Sequence, residues 1–516
     1  MEMNVGKLFM IGIEGTELNR VNQTVLQRIK PGFIILFSRN YVNPEQLKSF
    51  IQDIADLLGY QPVIALDQEG GNVLRLREYF SLLPSPMACA ATNDETLVRQ
   101  AVETFATEMR AVGIDWNLAP VVDVNTNPFN PVIGLRAFSD EPKKVCVFAK
   151  AFVDGLENAG VLSCLKHFPG IGHVRVDPHY DLPVSEISET ELWDTHLLPF
   201  STVKSPAWMP THVYLKGVQS FEEPVSLSHQ MLTHLVREQM GYNGLLVADD
   251  LLMGGVSKYS LVDRLKHSFE AGMDVLTICH NPQEQLLAYV EFESWVLNQI
   301  DLRKQLQASM ERIDNFLRMA DAERKRSNYS LKTVYDINRK QVIEEIARRS
   351  IVFLGEHPPS TFVNGLDYVL TMKPPANSPV IDNENSKVPI LAEIVSKTTG
   401  AQTLYIASEK SLKILPELHG KKLIFISFNA YMYDWTSKLL KELDATNNLL
   451  LVAMQNPYDA TLARNSLITF GALKSQQEAA FDVLVGKLEP QGMLPVSLRR
   501  EWDDCRGFKM ESSFES

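Results

Sequence analysis

The chain has 516 residues, with 50 Lys and Arg against 63 Asp and Glu, so its formal net charge is −13 at pH 7. The hydrophobic fraction of 45% and the charged fraction of 22% are ordinary for a folded protein, which excludes a mostly disordered chain. The acidic balance argues against broad nucleic-acid binding, which needs a basic surface, and against docking on anionic lipid.

Neither the cysteines nor the apolar segments indicate an exported or membrane-bound protein. The five cysteines are widely spaced and form no CxxC pair, so we expect free thiols rather than a disulfide framework or a zinc site. The first residues, MEMNVGKLFMIGIEG, have no basic stretch before their short apolar run, unlike a secretion signal. No charge-free apolar stretch reaches the roughly 18 residues of a membrane helix. We therefore expect a cytoplasmic protein.

Short apolar runs and longer amphipathic segments alternate along the first part of the chain. The apolar runs are Lys7–Ile13, Gly32–Phe37, Val63–Asp67, Trp116–Asp123, Val161–His167, Trp208–Val213, Leu245–Asp249 and Met273–Cys279. The helix-like segments between them include Pro44–Leu58, Asp94–Val112, Glu141–Ala159, Ser188–Val203, His229–Met240 and Leu261–Ala271. This alternation predicts a parallel sheet, and eight units in about 280 residues fit a (β/α)₈ barrel. An open doubly wound sheet is the alternative, because periodicity does not separate the two.

A charged helical stretch follows the eight units, and apolar runs then resume. These later runs are Ser350–Leu354, Tyr368–Met372, Thr403–Ala407, Leu423–Phe428, Leu449–Met454 and Leu494–Leu498. We predict a barrel domain over residues 1–320, a helical linker over 321–349 and a smaller C-terminal α/β domain over 350–516.

Polar and charged residues gather just after the apolar runs, where a barrel enzyme carries its active site. They are Asp67, Arg75, Asp123, Arg136, Lys166, His167, Asp177, His179, His212, Asp249, Asp250 and His280. A single Asp at a strand end is commonly a cap, whereas six coincident strand ends favour a site. The sequence has no G-x-S-x-G elbow, Walker loop or H-E-x-x-H motif, which argues against a serine nucleophile, a phosphate loop and a metal centre.

One segment carries a specific resemblance. KHFPGIGHVRVDPHYDLP, which begins at Lys166, closely resembles the signature of the β-N-acetylglucosaminidase branch of glycoside hydrolase family 3. Four further segments agree in order, namely LDQEGGNVLRLR, GLRAFSDEP, VADDLLM and AGMDVLTICHNP. The resemblance covers the proposed barrel, and the tail looks more loosely like the C-terminal α/β sandwich domain of that family.

The resemblance implies a role for each matching residue. Asp249 matches the catalytic nucleophile, His179 matches the general acid/base, and Asp177 matches its dyad partner. The matches to sugar-binding residues are Asp67, Arg75, Arg136, Lys166 and His167. The implied activity is that of an exo-acting, retaining β-N-acetylhexosaminidase that needs no cofactor or metal. Its implied substrate is a small carbohydrate, with terminal β-linked N-acetylglucosamine on muropeptides or chitooligosaccharides.

These residue types also suit the reaction on chemical grounds. A retaining glycosidase needs one carboxylate that attacks the anomeric carbon and one acid that protonates the leaving oxygen. An imidazole can supply and retrieve a proton near neutral pH, and a carboxylate two residues earlier can hold its other ring nitrogen. We expect His212, Asp250 and Cys279 to support the site rather than to act as base, nucleophile or thiol nucleophile.

Three positions depart from the family pattern, and three other functions stay open. Ile171 replaces a histidine, Asn72 replaces an arginine and Pro178 replaces a small residue, which leaves the catalytic set intact. A histidine in place of a second carboxylate does not repel phosphate, so the protein could be a phosphorylase. A β-glucosidase with its acid/base in the second domain and a non-catalytic sugar-binding barrel are the remaining alternatives.

Overall fold

The computed structural model describes residues 4–372, 389–409 and 415–498. They fall into two compact units, Met1–Leu83 with Glu95–Ile343 and Pro84–Asp94 with Glu344–Ser516. The short segment Pro84–Asp94 thus groups with the C-terminal part of the chain. The domain limits at 320 and 350 stay a prediction, because the charged helical stretch divides between the two units.

Eight short parallel strands form the centre of the first unit. They are β1 (Phe9–Gly12), β2 (Phe33–Leu36), β3 (Val63–Leu66), β4 (Trp116–Asn117), β5 (Leu165–Phe168), β6 (Ala207–Pro210), β7 (Leu245–Leu246) and β8 (Leu276–Ile278). Ladders run from β8 through β1, β2 and β3 to β4, and from β5 through β6 to β7. Parallel bridges Val121↔Lys166 and Val247↔Val275 join the two groups at both ends. The sheet is therefore closed, which confirms the barrel and excludes the open doubly wound sheet.

Helices follow the strands and cover the ring. They are Arg20–Ile29, Pro44–Leu58, Glu95–Val112, Pro142–Ala159, Leu198–Thr202, Gln230–Gln239, Leu261–Ala271 and Pro282–Asn298. The segment before Leu198 is broken into a turn, Glu189–Glu191, and a stretch of wide helical turns, Leu192–His196. The helix at Pro44 shows why the sequence marked its limits, since Asn43 accepts from the Gln46 amide at 2.8 Å and Gly59 ends it with φ 72°. The charged stretch that follows is helical at Arg303–Arg326, Lys332–Tyr335 and Ile337–Arg349.

The second unit is built on one six-stranded sheet. Its strands are β9 (Val352–Leu354), β10 (Tyr368–Met372), β11 (Gln402–Ile406), β12 (Lys422–Ser427), β13 (Asn448–Ala453) and β14 (Ser466–Ile468), in the order β9-β14-β13-β12-β10-β11. β9 runs antiparallel to β14 and the other pairs are parallel. Its helices are Pro86–Ala91, Ile390–Thr399, Leu415–Leu418, Asp434–Thr446 and Lys474–Leu484, and the sheet and helices enclose one apolar core.

One predicted strand of this unit is wrong. Leu494–Leu498 forms no strand, and Pro495 within it has no amide to give to a ladder. The sixth strand is β14, which is only three residues long and was missed. The described cysteines, Cys89, Cys146, Cys164 and Cys279, are buried free thiols, whereas Cys505 lies outside the described residues. None of the helices in the described ranges is long and apolar enough to cross a membrane.

Candidate active site

The residues predicted to carry chemistry lie at the carboxyl ends of the barrel strands and in the loops that follow. Asp67 comes directly after β3, Lys166 and His167 lie within β5, and Asp249 comes soon after β7. Arg75, Arg136, Asp177 and His179 lie on the loops after β3, β4 and β5. Because the strands are parallel and the ring is closed, these positions share one rim of the barrel.

A chain of alternating charges links the sugar-binding candidates. Lys166 Nζ lies 2.6 Å from Asp67 Oδ1 and 2.6 Å from Glu69 Oε1. Arg136 donates to the same Glu69 through Nε at 2.8 Å and Nη2 at 2.9 Å. Arg75 Nη2 lies 3.5 Å from Asp67 Oδ2. Each cation thus contacts a carboxylate, and bidentate pairing fixes the plane of the Arg136 guanidinium.

Glu69 joins the two halves of this network and was not among the predicted site residues. Burial alone would raise the pKa of Glu69, but the charges of Arg136 and Lys166 hold that pKa well below its usual range. Burial alone would likewise lower the pKa values of Lys166 and Arg136, and their carboxylate neighbours raise both. The available signal was spacing, because residues two apart on an extended segment, such as Asp67 and Glu69, share a face.

The ring of His167 is held from both sides. Nδ1 lies 2.7 Å from Asp123 Oδ2, and Nε2 lies 3.1 Å from Arg136 Nη2. A guanidinium nitrogen can only donate, so Nε2 accepts and the proton sits on Nδ1, where it is given to Asp123. Side chains of consecutive strand residues normally face opposite ways. Lys166 and His167 instead both contact residues of the site, and the β5–β6 ladder has a register shift between Lys166 and Phe168.

Asp249 is half-buried, and its carboxylate is fixed by two donors. Its Oδ2 accepts from Thr211 Oγ1 at 2.8 Å, and its Oδ1 accepts from the Asp250 amide at 2.9 Å. Burial alone would raise the pKa of Asp249, whereas the charge of His179 in its protonated form and the hydrogen bond from Thr211 lower it. A carboxylate held in this way is suited to act as a nucleophile.

Asp177 and His179 form a pair on the loop after β5. His179 Nδ1 lies 2.7 Å from Asp177 Oδ1, and the backbone amide of His179 donates to the same oxygen at 2.9 Å. Both contacts are possible because Asp177 and His179 are separated by one residue, and together they orient the ring. Nε2 is then the nitrogen that can exchange a proton. The His179 side chain is 21% exposed and that of Asp177 is 7% exposed, so the pair lies at the rim of the site.

His212 and Asp250 support the site instead of offering a base to it. His212 Nε2 donates to the Asp250 carbonyl at 3.1 Å, and Nδ1 accepts from Ser226 Oγ at 2.7 Å, so both ring nitrogens are used. Asp250 Oδ1 accepts from the amides of Leu252 and Cys279, which ties the β7 loop to β8. Burial raises the pKa of Asp250 to about 6.

The structure also shows what surrounds one position that departs from the signature. Ile171 is buried and donates its amide to Asp123 Oδ1 at 2.7 Å, so this backbone helps to hold the carboxylate that orients His167. His173, two residues later, packs against the buried His196 with ring centroids 4.6 Å apart. Burial lowers the pKa values of His173 and His196 to about 3 and about 4, so both rings are neutral.

Comparison with known proteins gives this rim a family. The model of the glycosyl hydrolase family 3 N-terminal domain matches residues 1–317. The chain belongs to glycosyl hydrolase family 3. It is 34% identical over 303 residues to a β-hexosaminidase of Thiobacillus denitrificans, which covers 56% of this chain and 83% of that relative. Family membership together with several relatives of this kind makes the protein a glycoside hydrolase.

One solved structure extends the likeness to the second unit, and another matches a shorter part of the chain. A family 3 β-N-acetylglucosaminidase from Paenibacillus sp. str. FPU-7 superposes with a TM-score of 0.86 at 26% identity, over 96% of this chain and 99% of that one. NagZ from Neisseria gonorrhoeae, in complex with N-trifluoroacetyl-D-glucosamine, superposes with a TM-score of 0.55 at 29% identity, over 66% of this chain and 98% of that one.

Proposed function

We propose that the protein is an exo-acting, retaining β-N-acetylglucosaminidase that removes terminal β-linked N-acetylglucosamine from a small carbohydrate. The observation that carries the proposal is the oriented Asp177–His179 pair on the same rim as Asp249, whose carboxylate is held by Thr211 and by the Asp250 amide. The β-hexosaminidases among the relatives and the β-N-acetylglucosaminidase from Paenibacillus support the choice of sugar. Muropeptides and chitooligosaccharides are the proposed substrates, and the cytoplasm is the proposed compartment.

In the first step the carboxylate of Asp249 attacks C1 of the sugar and the bond to the leaving oxygen breaks. His179, protonated on both nitrogens, gives its Nε2 proton to that oxygen and keeps its Nδ1 proton, which it donates in a hydrogen bond to Asp177. In the second step the neutral Nε2 takes a proton from water, and the oxygen of that water displaces Asp249 from C1. Asp177 stabilises the imidazolium whenever it forms, as an orienting carboxylate does in hydrolase triads.

The paired cations are suited to hold the sugar without rearrangement. Lys166 and Arg136 are already fixed by Glu69, so their remaining N–H groups can meet hydroxyl or amide oxygens at no cost in side-chain ordering. Asp67 can accept from sugar hydroxyls while it holds Lys166. Both ring nitrogens of His167 are already hydrogen-bonded within the protein, so His167 can contact the sugar only with the carbon atoms of its fixed ring.

The charge balance of the site favours water over phosphate as the acceptor. The three cations Arg75, Arg136 and Lys166 lie against Asp67 and Glu69, and Asp123 is a third carboxylate that acts on Arg136, so their charge is compensated before an anion arrives. We therefore favour hydrolysis over phosphorolysis.

The test is release of p-nitrophenol and free N-acetylglucosamine from p-nitrophenyl β-N-acetylglucosaminide, with and without phosphate. We expect hydrolysis in both buffers, and losses of at least about 100-fold in Asp249→Ala and His179→Ala. His234→Ala is the matched control, since His234 is an exposed histidine that pairs with Glu238. Formation of the sugar 1-phosphate would move the reaction to phosphorolysis. If p-nitrophenyl β-glucoside is cleaved faster than the N-acetylglucosaminide, the β-glucosidase is favoured. If folded protein cleaves neither glycoside, a non-catalytic sugar-binding barrel is favoured.

A further inference from the structure

Two consecutive glycines on the loop after β7 hold the backbone of the acid/base loop. The amide of Gly254 donates to the carbonyl of His179 at 3.0 Å, and the amide of Gly255 donates to the carbonyl of Pro178 at 2.9 Å. These carbonyls are the ones on either side of the His179 Cα. Gly254 and Gly255 begin a single 3₁₀ turn, Gly254–Val256, so their amides have no partner inside the turn and are free to donate outwards.

The glycines are required by the space between the two loops. A Cβ on Gly254 would stand 2.3 Å from the carbonyl oxygen of Tyr180 and 2.8 Å from that of His179. A Cβ on Gly255 would stand 2.8 Å from His212 Cβ and 3.2 Å from the Pro178 carbonyl oxygen. Most of these contacts are with backbone, so relief requires the acid/base loop itself to move. Neither glycine has a positive φ, so the turn's own conformation does not call for glycine.

The side chain that packs against Gly255 is held in place by hydrogen bonds. His212, which lies under Gly255, is locked by Ser226 on one side and by the Asp250 carbonyl on the other. Asp250 is in turn the neighbour of Asp249 and is tied to β8 through the Cys279 amide. A continuous set of contacts therefore runs from the nucleophile's strand end to the backbone of the acid/base.

We propose that Gly254 and Gly255 are positioning residues that fix His179 relative to Asp249. The inference rests on the proposed function, because it assigns these glycines a part in placing the general acid/base. One loop then carries the nucleophile at its start and the support of the acid/base five residues later. The pair touches neither substrate nor reacting atoms, and it acts by keeping the Nε2 proton of His179 at the leaving oxygen.

The first test is the leaving-group dependence of Gly254→Ala. With chitobiose, whose leaving sugar needs a proton, we expect kcat/KM to fall about 100-fold, as for a reacting group displaced by about 1 Å. With the 2,4-dinitrophenyl glycoside, whose leaving group needs no proton, kcat/KM should change by less than about threefold. Azide, which attacks C1 without a general base, should restore turnover and yield the glycosyl azide. A merely structural defect would lower kcat/KM equally for both substrates, and azide would not restore turnover.

The matched control is Gly32→Ala at the amino end of β2. A Cβ there would stand 2.7 Å from the Lys7 carbonyl oxygen, which is comparable crowding on the opposite side of the barrel from the site. We expect Gly32→Ala to lower thermal stability and to keep the wild-type ratio between the two substrates. Gly255→Ala is the second variant, and it supplies the same readouts if Gly254→Ala is unfolded by circular dichroism.

A second measurement needs no activity. Arg175 is exposed on the acid/base loop, so limited trypsin digestion after it reports on how firmly that loop is docked. We expect faster cleavage in Gly254→Ala than in wild type or Gly32→Ala. If the wild type fails to cleave any β-N-acetylglucosaminide, the proposed function is wrong while the digestion still tests the docking. A wild-type substrate ratio together with wild-type digestion in both Gly254→Ala and Gly255→Ala overturns the proposal.

Discussion

Replacing Glu69 with glutamine removes one negative charge from the middle of the charge network and keeps the shape of the side chain. In the wild type this carboxylate contacts Arg136 twice, at 2.8 and 2.9 Å, and Lys166 at 2.6 Å. In the variant Lys166 keeps Asp67, whereas Arg136 keeps the Val132 carbonyl and the His167 ring, neither of which is charged. A guanidinium would then be buried without its carboxylate.

The expected loss is large because both partners of the ion pair are buried. Glu69 is 1% exposed and Arg136 is 5% exposed, so water cannot replace the missing charge. Removing one partner of a buried ion pair costs about 3–5 kcal/mol of unfolding free energy. The loss should shrink on acidification. Because its cations hold the pKa of Glu69 below the usual range, the wild-type advantage is complete above about pH 4.3 and disappears as the pH falls through the folded-state value.

The assay is urea-dependent hydrogen exchange on peptides that span β3 and β5, which reports the opening free energy of the barrel by itself. Glu186→Gln is the control, since Glu186 pairs with Lys216 at 3.0 Å on the exposed surface and its loss should leave exchange unchanged. An opening free energy in Glu69→Gln within about 1 kcal/mol of wild type would refute the reasoning, because it would place the pair in the range of surface ion pairs.

Three further outcomes follow from buried groups. Burial raises the pKa of Glu108, which accepts from Ser81, to about 7, so wild-type stability should fall as the pH rises from about 4.3 to 7 and Glu108→Gln should lack this slope in pH-dependent urea unfolding. Thr211→Val removes a donor from Asp249, and kcat should fall about tenfold in steady-state kinetics because the nucleophile is less firmly oriented. Burial raises the thiol pKa values of the described cysteines, so folded Cys505→Ser should not react with Ellman's reagent at pH 8 until urea is added.

The barrel could be predicted because its strands are marked twice, by apolar composition and by the helices between them. Each of the eight predicted runs overlaps an observed strand. The polar rim followed from the same reasoning, since parallel strands in a closed ring bring their carboxyl ends together whatever their distance in sequence. The wrong strand at Leu494–Leu498 and the missed β14 show the limit, because a three-residue strand carries too little pattern to be distinguished from a loop.

The partners within the site were harder to predict than its members. Thr211 lay inside an apolar run, and only the observed end of β6 at Pro210 shows that it leaves the strand and reaches Asp249. Glu69 stood in a segment already singled out, but its importance depends on two cations that follow it by 67 and 97 positions along the chain. Such pairings are set by tertiary packing, which a single sequence does not record.

The fixed rings of His167 and His212 leave one imidazole near Asp249 that can exchange a proton. Three imidazoles influence Asp249, those of His167, His179 and His212. The rings of His167 and His212 have no nitrogen left for proton exchange, since in each ring one nitrogen donates and the other accepts a hydrogen bond within the protein. Of these three rings, that of His179 keeps a nitrogen, Nε2, that can exchange a proton with the substrate. An imidazole NMR signal that moves with substrate can therefore be assigned to His179.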